Sequence, residues 1–221
     1  MMLQREKPRL FFVGAPRCGT SSMTSYLAQH PEIAISTLKE TNYFADDLDL
    51  PKPKSEDEYL GLFEPSEATR ILGEGSVLCL YSTVAADRIK AYQPGARILM
   101  FLREPVAAAY SWYAQMRFTA NEPLDTFEAA LDAEAARKKG DRTGMAGAAV
   151  DCPQLLYYRD VYSYAPQVER YLHAFDREQL LILSYDDFTS DWRAVYRDVC
   201  AFLHVDPEFD QRSGQDQFAG I

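Results

Sequence analysis

The chain has 221 residues, 47% hydrophobic and 25% charged, enough to bury a substantial core and close to the size of one domain. Its formal net charge of -10 excludes a nucleic-acid surface, which needs many Lys and Arg against phosphates, so any anionic ligand has to be held by a local pocket. Four cysteines (Cys18, Cys79, Cys152, Cys200) and three histidines (His30, His173, His204) show neither CxxC spacing nor a ligand cluster, and neither a disulfide framework nor a metal site is expected.

In chain order, Leu10 to Val13 is apolar but too brief for a signal h-region or a membrane span, which predicts a cytoplasmic protein with no membrane span. Arg9 to Gly14 reads as a buried strand, followed by a Gly-containing loop and a helix over Gly19 to Gln29. Further short strands are predicted at Ile33 to Ile35, Arg70 to Leu72, Arg97 to Leu102 and Gln179 to Leu183. Helical patterns cover Asp57 to Phe63, Thr83 to Tyr92, Pro105 to Arg117, Thr126 to Lys138, Val161 to Phe175 and Trp192 to Leu203. Asp186 and Asp187 are expected to begin the final helix unit. This alternation predicts right-handed crossovers and one α/β three-layer domain over residues 1–221, with a central, mostly parallel sheet flanked by helices. Ligands in such domains bind beyond the carboxyl ends of the strands. Gly140 to Asp151, with Gly140, Gly144 and Gly147, is the expected mobile loop and a candidate cover for the cleft.

Gly14-Ala15-Pro16-Arg17-Cys18-Gly19-Thr20-Ser21-Ser22 joins the first strand to the first helix, so backbone N–H groups and the helix dipole converge where an anion is favoured. Arg17 adds a planar donor fork, and Thr20, Ser21 and Ser22 add hydroxyls. Thr20 follows Gly19 directly, so the GK[ST] lysine of a Walker A loop is absent. Alone, the loop equally fits a tight strand-to-helix turn.

The segment resembles the 5'-phosphosulfate-binding loop of sulfotransferases that use 3'-phosphoadenosine-5'-phosphosulfate (PAPS), particularly the bacterial and heparan-sulfate-type branch, which commonly has Lys where this chain has Arg17. Two further segments carry the resemblance. Lys39-Glu40-Thr41-Asn42-Tyr43-Phe44 is similar to the family's Lys-Glu-x-x-x-Phe segment, which implies Glu40 as catalytic base, although a Lys-Glu pair taken alone reads as a surface ion pair. Arg103, at the end of Arg97 to Leu102, and Ser111, two turns into the next helix, are similar to the family's 3'-phosphate-binding motif. Gly73-Glu74-Gly75-Ser76 falls where relatives often have Glu-Lys-Ser or Glu-Lys-Thr, with Gly75 replacing the lysine and Glu74 and Ser76 left as possible site residues. Tyr164 to Phe175 and Gln179 to Asp187 resemble a late helix-strand-acidic-turn unit, and their aromatic residues read as core. The family's closing Gly- and basic-rich loop has only a weak candidate in Arg212-Ser213-Gly214.

The resemblance implies a P-loop-like fold and transfer of a sulfuryl group from PAPS to a hydroxyl or amine acceptor, releasing 3'-phosphoadenosine-5'-phosphate (PAP) without a metal. It implies Arg17, Lys39 and Glu40 as catalytic residues. Arg17, Cys18, Gly19, Thr20, Ser21, Ser22, Arg103 and Ser111 are the implied nucleotide-binding residues. Two other readings stay open: a P-loop small-molecule kinase, and a non-catalytic PAP-binding protein on the same fold. The acceptor is either a small molecule or a glycan. Tyr43, Phe44, Tyr59, Phe118 and Phe127 permit a phenolic, lipid or polyketide-like one, and the acidic balance disfavours a heavily sulfated polysaccharide. The sequence carries no signal of oligomeric state.

Overall fold

All five residues of strand β1 (Leu10–Gly14) are buried, the signature of a strand covered on both faces. In the computed structural model, which describes residues 6–209, this strand is the centre of a five-stranded, wholly parallel sheet of order β2-β3-β1-β4-β5. Along the chain follow α1 (Thr20–Leu27), β2 (Ile33–Ile35), α2 (Glu56–Leu60), β3 (Ile71–Gly75), α3 (Ala85–Tyr92), β4 (Arg97–Leu102) and α4 (Pro105–Phe118). Then come α5 (Phe127–Lys138), α6 (Tyr158–Val161), α7 (Tyr164–Ala174), β5 (Leu180–Ser184), α8 (Tyr185–Ser190) and α9 (Trp192–Leu203).

The chain moves from β1 to one side for β2 and β3 and to the other for β4 and β5, which makes the carboxyl end of β1 the point where the strand order reverses. Register aligns Phe12 with Gly75 of β3 and with Leu99 of β4. The loops leaving β1, β3 and β4 therefore start side by side, fastened by Ser76 N–H to Phe12 O at 3.0 Å and Ala15 N–H to Phe101 O at 2.7 Å. Helices cover both faces, and aromatic edges hold the covering segments: Phe11 meets Phe44 of the loop after β2 edge-on at 5.6 Å and Phe101 meets Phe188 of α8 at 5.6 Å. Helix α9 buries Val195, Tyr196, Val199, Cys200 and Leu203 along one face, as its spacing dictates.

The structure departs from the sequence reading at particular points. Strand β3 runs on to Gly75, past the expected end at Leu72. Gly73 is not a breaker there, because a Cβ on it would lie 2.9 Å from Ile35 and 3.0 Å from Leu10, so only glycine lets the neighbouring side chains close. The helix expected over Val161 to Phe175 begins at Tyr164, after the separate short helix α6 has ended at Val161. Gln167 Nε2 donates to the carbonyls of Asp160 and Val161 at 2.8 and 3.1 Å, ending α6 with a side chain where helix amides would otherwise continue. Asp186 and Asp187 lie in the first turn of the separate α8, and Asp191 caps a new start for α9 through Ala194 N–H at 3.0 Å. The segment Gly140 to Asp151 packs on the connection between α4 and α5, with Ala149 N–H donating to Asn121 Oδ1 at 3.1 Å, and lines no part of the main cleft. Arg212-Ser213-Gly214 lies outside the described residues. Among the described residues no helix is long and apolar enough to cross a membrane.

Candidate active site

The loop after β1 makes its turn with Arg17 at φ 61° and Gly19 at φ 91°. At Gly19 a Cβ would be strained and would also fall 2.9 Å from Phe188, so the sharp entry into α1 depends on glycine. The starts of α4, α5 and α9 are capped by Glu104, Thr126 and Asp191. Helix α1 has no capping side chain and no acidic residue in its first turn. Its first amides are thus left for an incoming acceptor atom, with the helix dipole adding to the attraction for an anion. Thr20, Ser21 and Ser22 line the cleft above them. Cys18 contributes backbone only: its side chain is buried, donates to Pro16 O at 3.3 Å, and burial raises its thiol pKa to about 11.

Lys39 and Glu40 arrive from the loop after β2. Glu40 takes a left-handed φ of 60° and donates its N–H to Gly75 O at 2.9 Å, which docks this loop on the end of β3. Its carboxylate accepts from Val77 N–H at 2.8 Å and faces Lys39 Nζ at 3.3 Å. Lys39 Nζ also donates to Ser21 Oγ, so one ammonium joins the carboxylate to the anion loop. Enclosure in the cleft raises the Glu40 pKa above the usual 4.5, opposed by the charge of Lys39 and by the Val77 amide.

Directly behind lies Glu74, fully enclosed in β3. It accepts from Thr41 Oγ1 at 2.6 Å and Ser76 Oγ at 2.9 Å, and Ser76 Oγ in turn accepts from Asn42 N–H at 2.9 Å. This cluster clamps the positive-φ residues Glu40 and Asn42 onto the sheet. Burial raises the Glu74 pKa to about 7 against two lowering hydroxyl bonds, and the nearby Glu40 charge pushes it in the same direction as burial. Gly75, the missing lysine position, faces the underside of α1: a Cβ would sit 3.6 Å from Phe12 and 3.7 Å from Thr24 Oγ1, in ordinary contact.

Arg103 and Ser111 reach the same loop from the other side. Arg17 Nε donates to Ser111 Oγ at 3.0 Å and its Nη1 makes a long contact to Gln115 Oε1 at 3.5 Å. Arg103 Nη1 lies 3.5 Å from Arg17 O, with its guanidinium 4.5 Å from the centre of the Tyr185 ring. Residues expected at opposite ends of a nucleotide are here in direct contact.

The resulting cleft has a volume of about 500 Å³. Of the expected residues, Arg17, Gly19, Thr20, Ser21, Ser22, Lys39 and Glu40 line it, Cys18 lies beneath, and Arg103 and Ser111 border it through Arg17. Sequence reasoning missed Asn42, Leu50, Val77, Leu78, Trp112, Gln115, Met116, Leu155 and Tyr185. The spacing of Trp112, Gln115 and Met116 along the helix that carries Ser111 could have revealed three of them. Among the described residues no group of His, Cys, Asp and Glu could hold a metal ion.

A five-stranded parallel sheet of order 2-3-1-4-5 with flanking helices, and a Gly-containing loop from the central strand into α1 at the reversal point, define an α/β domain of the P-loop-like class. The comparison with known proteins narrows the class. Residues 7–215 match the family model described as sulfotransferase domain, and the chain belongs to that family of sulfate-transferring enzymes. It is similar to the crystal structure of a sulfotransferase from Alicyclobacillus acidocaldarius, with 35% identity, a TM-score of 0.83, and coverage of 96% of this chain and 87% of that one. Among curated proteins it is 26% identical over 253 aligned positions to carbohydrate sulfotransferase 15 of Homo sapiens, covering 90% of this chain and 44% of that protein. It is 27% identical over 220 positions to the bifunctional heparan sulfate N-deacetylase/N-sulfotransferase 4 of Mus musculus, covering 92% and 23% respectively. The chain spans less than half the length of both curated relatives.

Proposed function

We propose that this chain transfers the sulfuryl group of PAPS to a hydroxyl or amine acceptor, releasing PAP. The observation that carries the reading is the Glu40 carboxylate held by the Val77 amide beside Lys39, which itself reaches Ser21 of the anion loop. A proton acceptor and an anion cradle thus share one ammonium.

In this reading the amides at the start of α1, with Arg17 and the hydroxyls of Thr20, Ser21 and Ser22, hold the 5'-phosphosulfate. Arg103 and Ser111 hold the 3'-phosphate, and Arg17 exchanges its Ser111 contact for the ligand. The donor supplies a sulfur with a stable phosphate leaving group, so the chemistry left to the protein is positioning, charge stabilisation and removal of one proton. Glu40 takes the acceptor's proton as the acceptor atom bonds to sulfur. The bond from sulfur to the 5'-phosphate oxygen breaks and its electron pair leaves with PAP, whose growing charge Arg17, Lys39 and the loop amides offset. With Gly75 directed under α1, Lys39 is the ammonium available to that loop. The reading extends to a cytoplasmic location, which four buried, unpaired cysteines suit.

Calorimetric titration with PAP, run beside ATP and magnesium, tests the donor, and Glu40→Gln tests the base. Metal-independent PAP binding is expected, with turnover lost and PAP affinity retained in the variant. Equal loss of both removes Glu40 from its role as base, and absence of PAP binding by folded protein removes the donor.

A further inference from the structure

Helix α4 turns three unlike faces to its surroundings. Ala108, Ala109, Tyr113 and Met116 are buried, and Ser111 and Gln115 are bonded to Arg17. The third face carries Val106, Tyr110, Ala114 and Phe118, each four residues from the next, all exposed and none lining the cleft. Six large hydrophobic side chains are exposed among the described residues, and the three most exposed all belong to this face: Phe118 at 87%, Val106 at 66% and Tyr110 at 58%. Apolar residues scattered singly over a surface need no explanation, but a charge-free row running the length of a 14-residue helix does.

The row is preformed and self-complementary. The Tyr110 ring stands edge-on to Phe127 at 5.5 Å and 6.2 Å from Tyr113, so its exposed part belongs to a ring already held in place. Residues at i±4n spacing form the ridge used in the commonest helix packing, in which two such ridges lie side by side and the axes cross at about −50°. Against a second copy, antiparallel about a two-fold axis between positions 110 and 114, Tyr110 falls beside the small Ala114 of the other chain and Val106 beside its Phe118. The ends match in charge as well. Glu104 caps the start of α4 through the Val106 and Ala107 amides, and Arg117, joined to Asp125 at 2.6 Å, closes it. Antiparallel pairing sets acid beside base at both ends and opposes the two helix dipoles. With about 150–250 Å² for an aromatic side chain, the exposed fractions of the row amount to about 400 Å² per copy before flanking residues are counted, so a pair approaches the roughly 1,000 Å² of a specific interface.

We propose that α4 is the contact surface of a reversible homodimer, two chains pairing antiparallel through Val106, Tyr110, Ala114 and Phe118. The proposal is independent of the donor and acceptor readings. Ser111 and Gln115 hold Arg17 from the same helix, so the interface borders the site of each copy.

Sedimentation velocity of the full chain from about 1 to about 200 µM tests it, with a monomer–dimer equilibrium expected at a dissociation constant of about 1–100 µM, as suits a contact near the lower bound of interface size. Ala114→Glu, which sets a charge beside the axis, and Phe118→Ser, at an end of the row, should each weaken association at least about tenfold. Both positions are exposed, so the melting temperature should stay close to wild type and show that the fold is kept. Cross-linking reads the direction of pairing. At 1.5 Å per residue, Ala114 lies about 6 Å along the helix from its own copy and Val106 about 18 Å. A short bismaleimide should join Ala114→Cys chains and leave Val106→Cys chains largely single, with the four native cysteines buried. A chain that stays monomeric at the highest concentration overturns the proposal, whatever else the row then binds. A dimer that survives both Ala114→Glu and Phe118→Ser overturns it too, as does cross-linking through Val106→Cys at least as readily as through Ala114→Cys.

Discussion

Replacing Glu74 by Gln should make the protein more stable at pH 8 relative to wild type than it is at pH 5. Glu74 is buried to 1% exposure with both hydroxyl bonds arriving at Oε2, an acceptor geometry that an amide oxygen reproduces. Burial raises its pKa from 4.5 to about 7. Between those values the folded protein keeps the proton while the unfolded chain has released it, so the folded state binds more protons and stability falls as pH rises. The contribution is fully present below pH 4.5 and is lost as pH climbs through about 7. At about 1.4 kcal/mol for each tenfold change in proton concentration, the interval amounts to about 3 kcal/mol, a large part of the stability of one domain. Glutamine stays neutral throughout, so the stability difference between variant and wild type should swing toward the variant by about that amount between pH 5 and pH 8. Other titrating groups cancel in the difference, and the repulsion from Glu40 is already one of the causes of the raised Glu74 pKa. The assay is urea unfolding of both proteins at closely spaced pH values. A flat difference, or a swing toward wild type, would falsify the claim that Glu74 is held protonated by its surroundings.

Four further outcomes follow from the same geometry. Lys39→Ala should move the acid limb of the kcat profile to higher pH, because the Lys39 charge is what opposes the raised pKa of Glu40; a limb at the same pH means the pair does not operate in the working enzyme. Arg103→Ala should weaken PAP binding by about 10- to 100-fold, the scale of a lost charged hydrogen bond, while Tyr185→Leu, which removes only the ring beneath the guanidinium, should lose less; calorimetry separates them. Gly19→Ala should lose about 1–3 kcal/mol and lower the melting temperature, since the new Cβ is strained at φ 91° and meets Phe188 at 2.9 Å. Gly75→Ala, with contacts of 3.6 and 3.7 Å, should stay within about 1 kcal/mol of wild type in the same melt.

Strands β1 and β4 were legible because burial on both faces writes them as unbroken apolar runs. The end of β3 was not, since Gly73-Glu74-Gly75 reads as punctuation until the crowding of Ile35 and Leu10 shows why glycine is needed there. In the site, the loop after β1 and the Lys39-Glu40 segment could be joined in advance only through the family resemblance, since a Lys-Glu pair taken alone reads as a surface ion pair. The contact between Arg17 and Ser111 could not: the two lie 94 residues apart, and nothing local to either indicates the other. Two apolar residues of the cleft were hidden for another reason. Leu50 sits in an irregular segment and Leu155 in a single 3-10 turn, Pro153–Leu156, both too short for a period to distinguish a residue facing a cavity from one covering the core.

Gly75 shows how a local departure has to be judged by where the position points. On sequence it removes a cation from the phosphate end of the site. In the fold its Cβ direction leads between Phe12 and Thr24, beneath α1, while Lys39 reaches Ser21 from the neighbouring loop. That loop is held at positive φ at Glu40 and Asn42 by the buried cluster of Glu74, Thr41 and Ser76. The position of the Lys39 ammonium between Ser21 and Glu40 therefore depends on a carboxyl in β3, the strand paired with β1. The triplet Glu74-Gly75-Ser76 acts through Glu74 and Ser76, which set the geometry of Lys39 and Glu40.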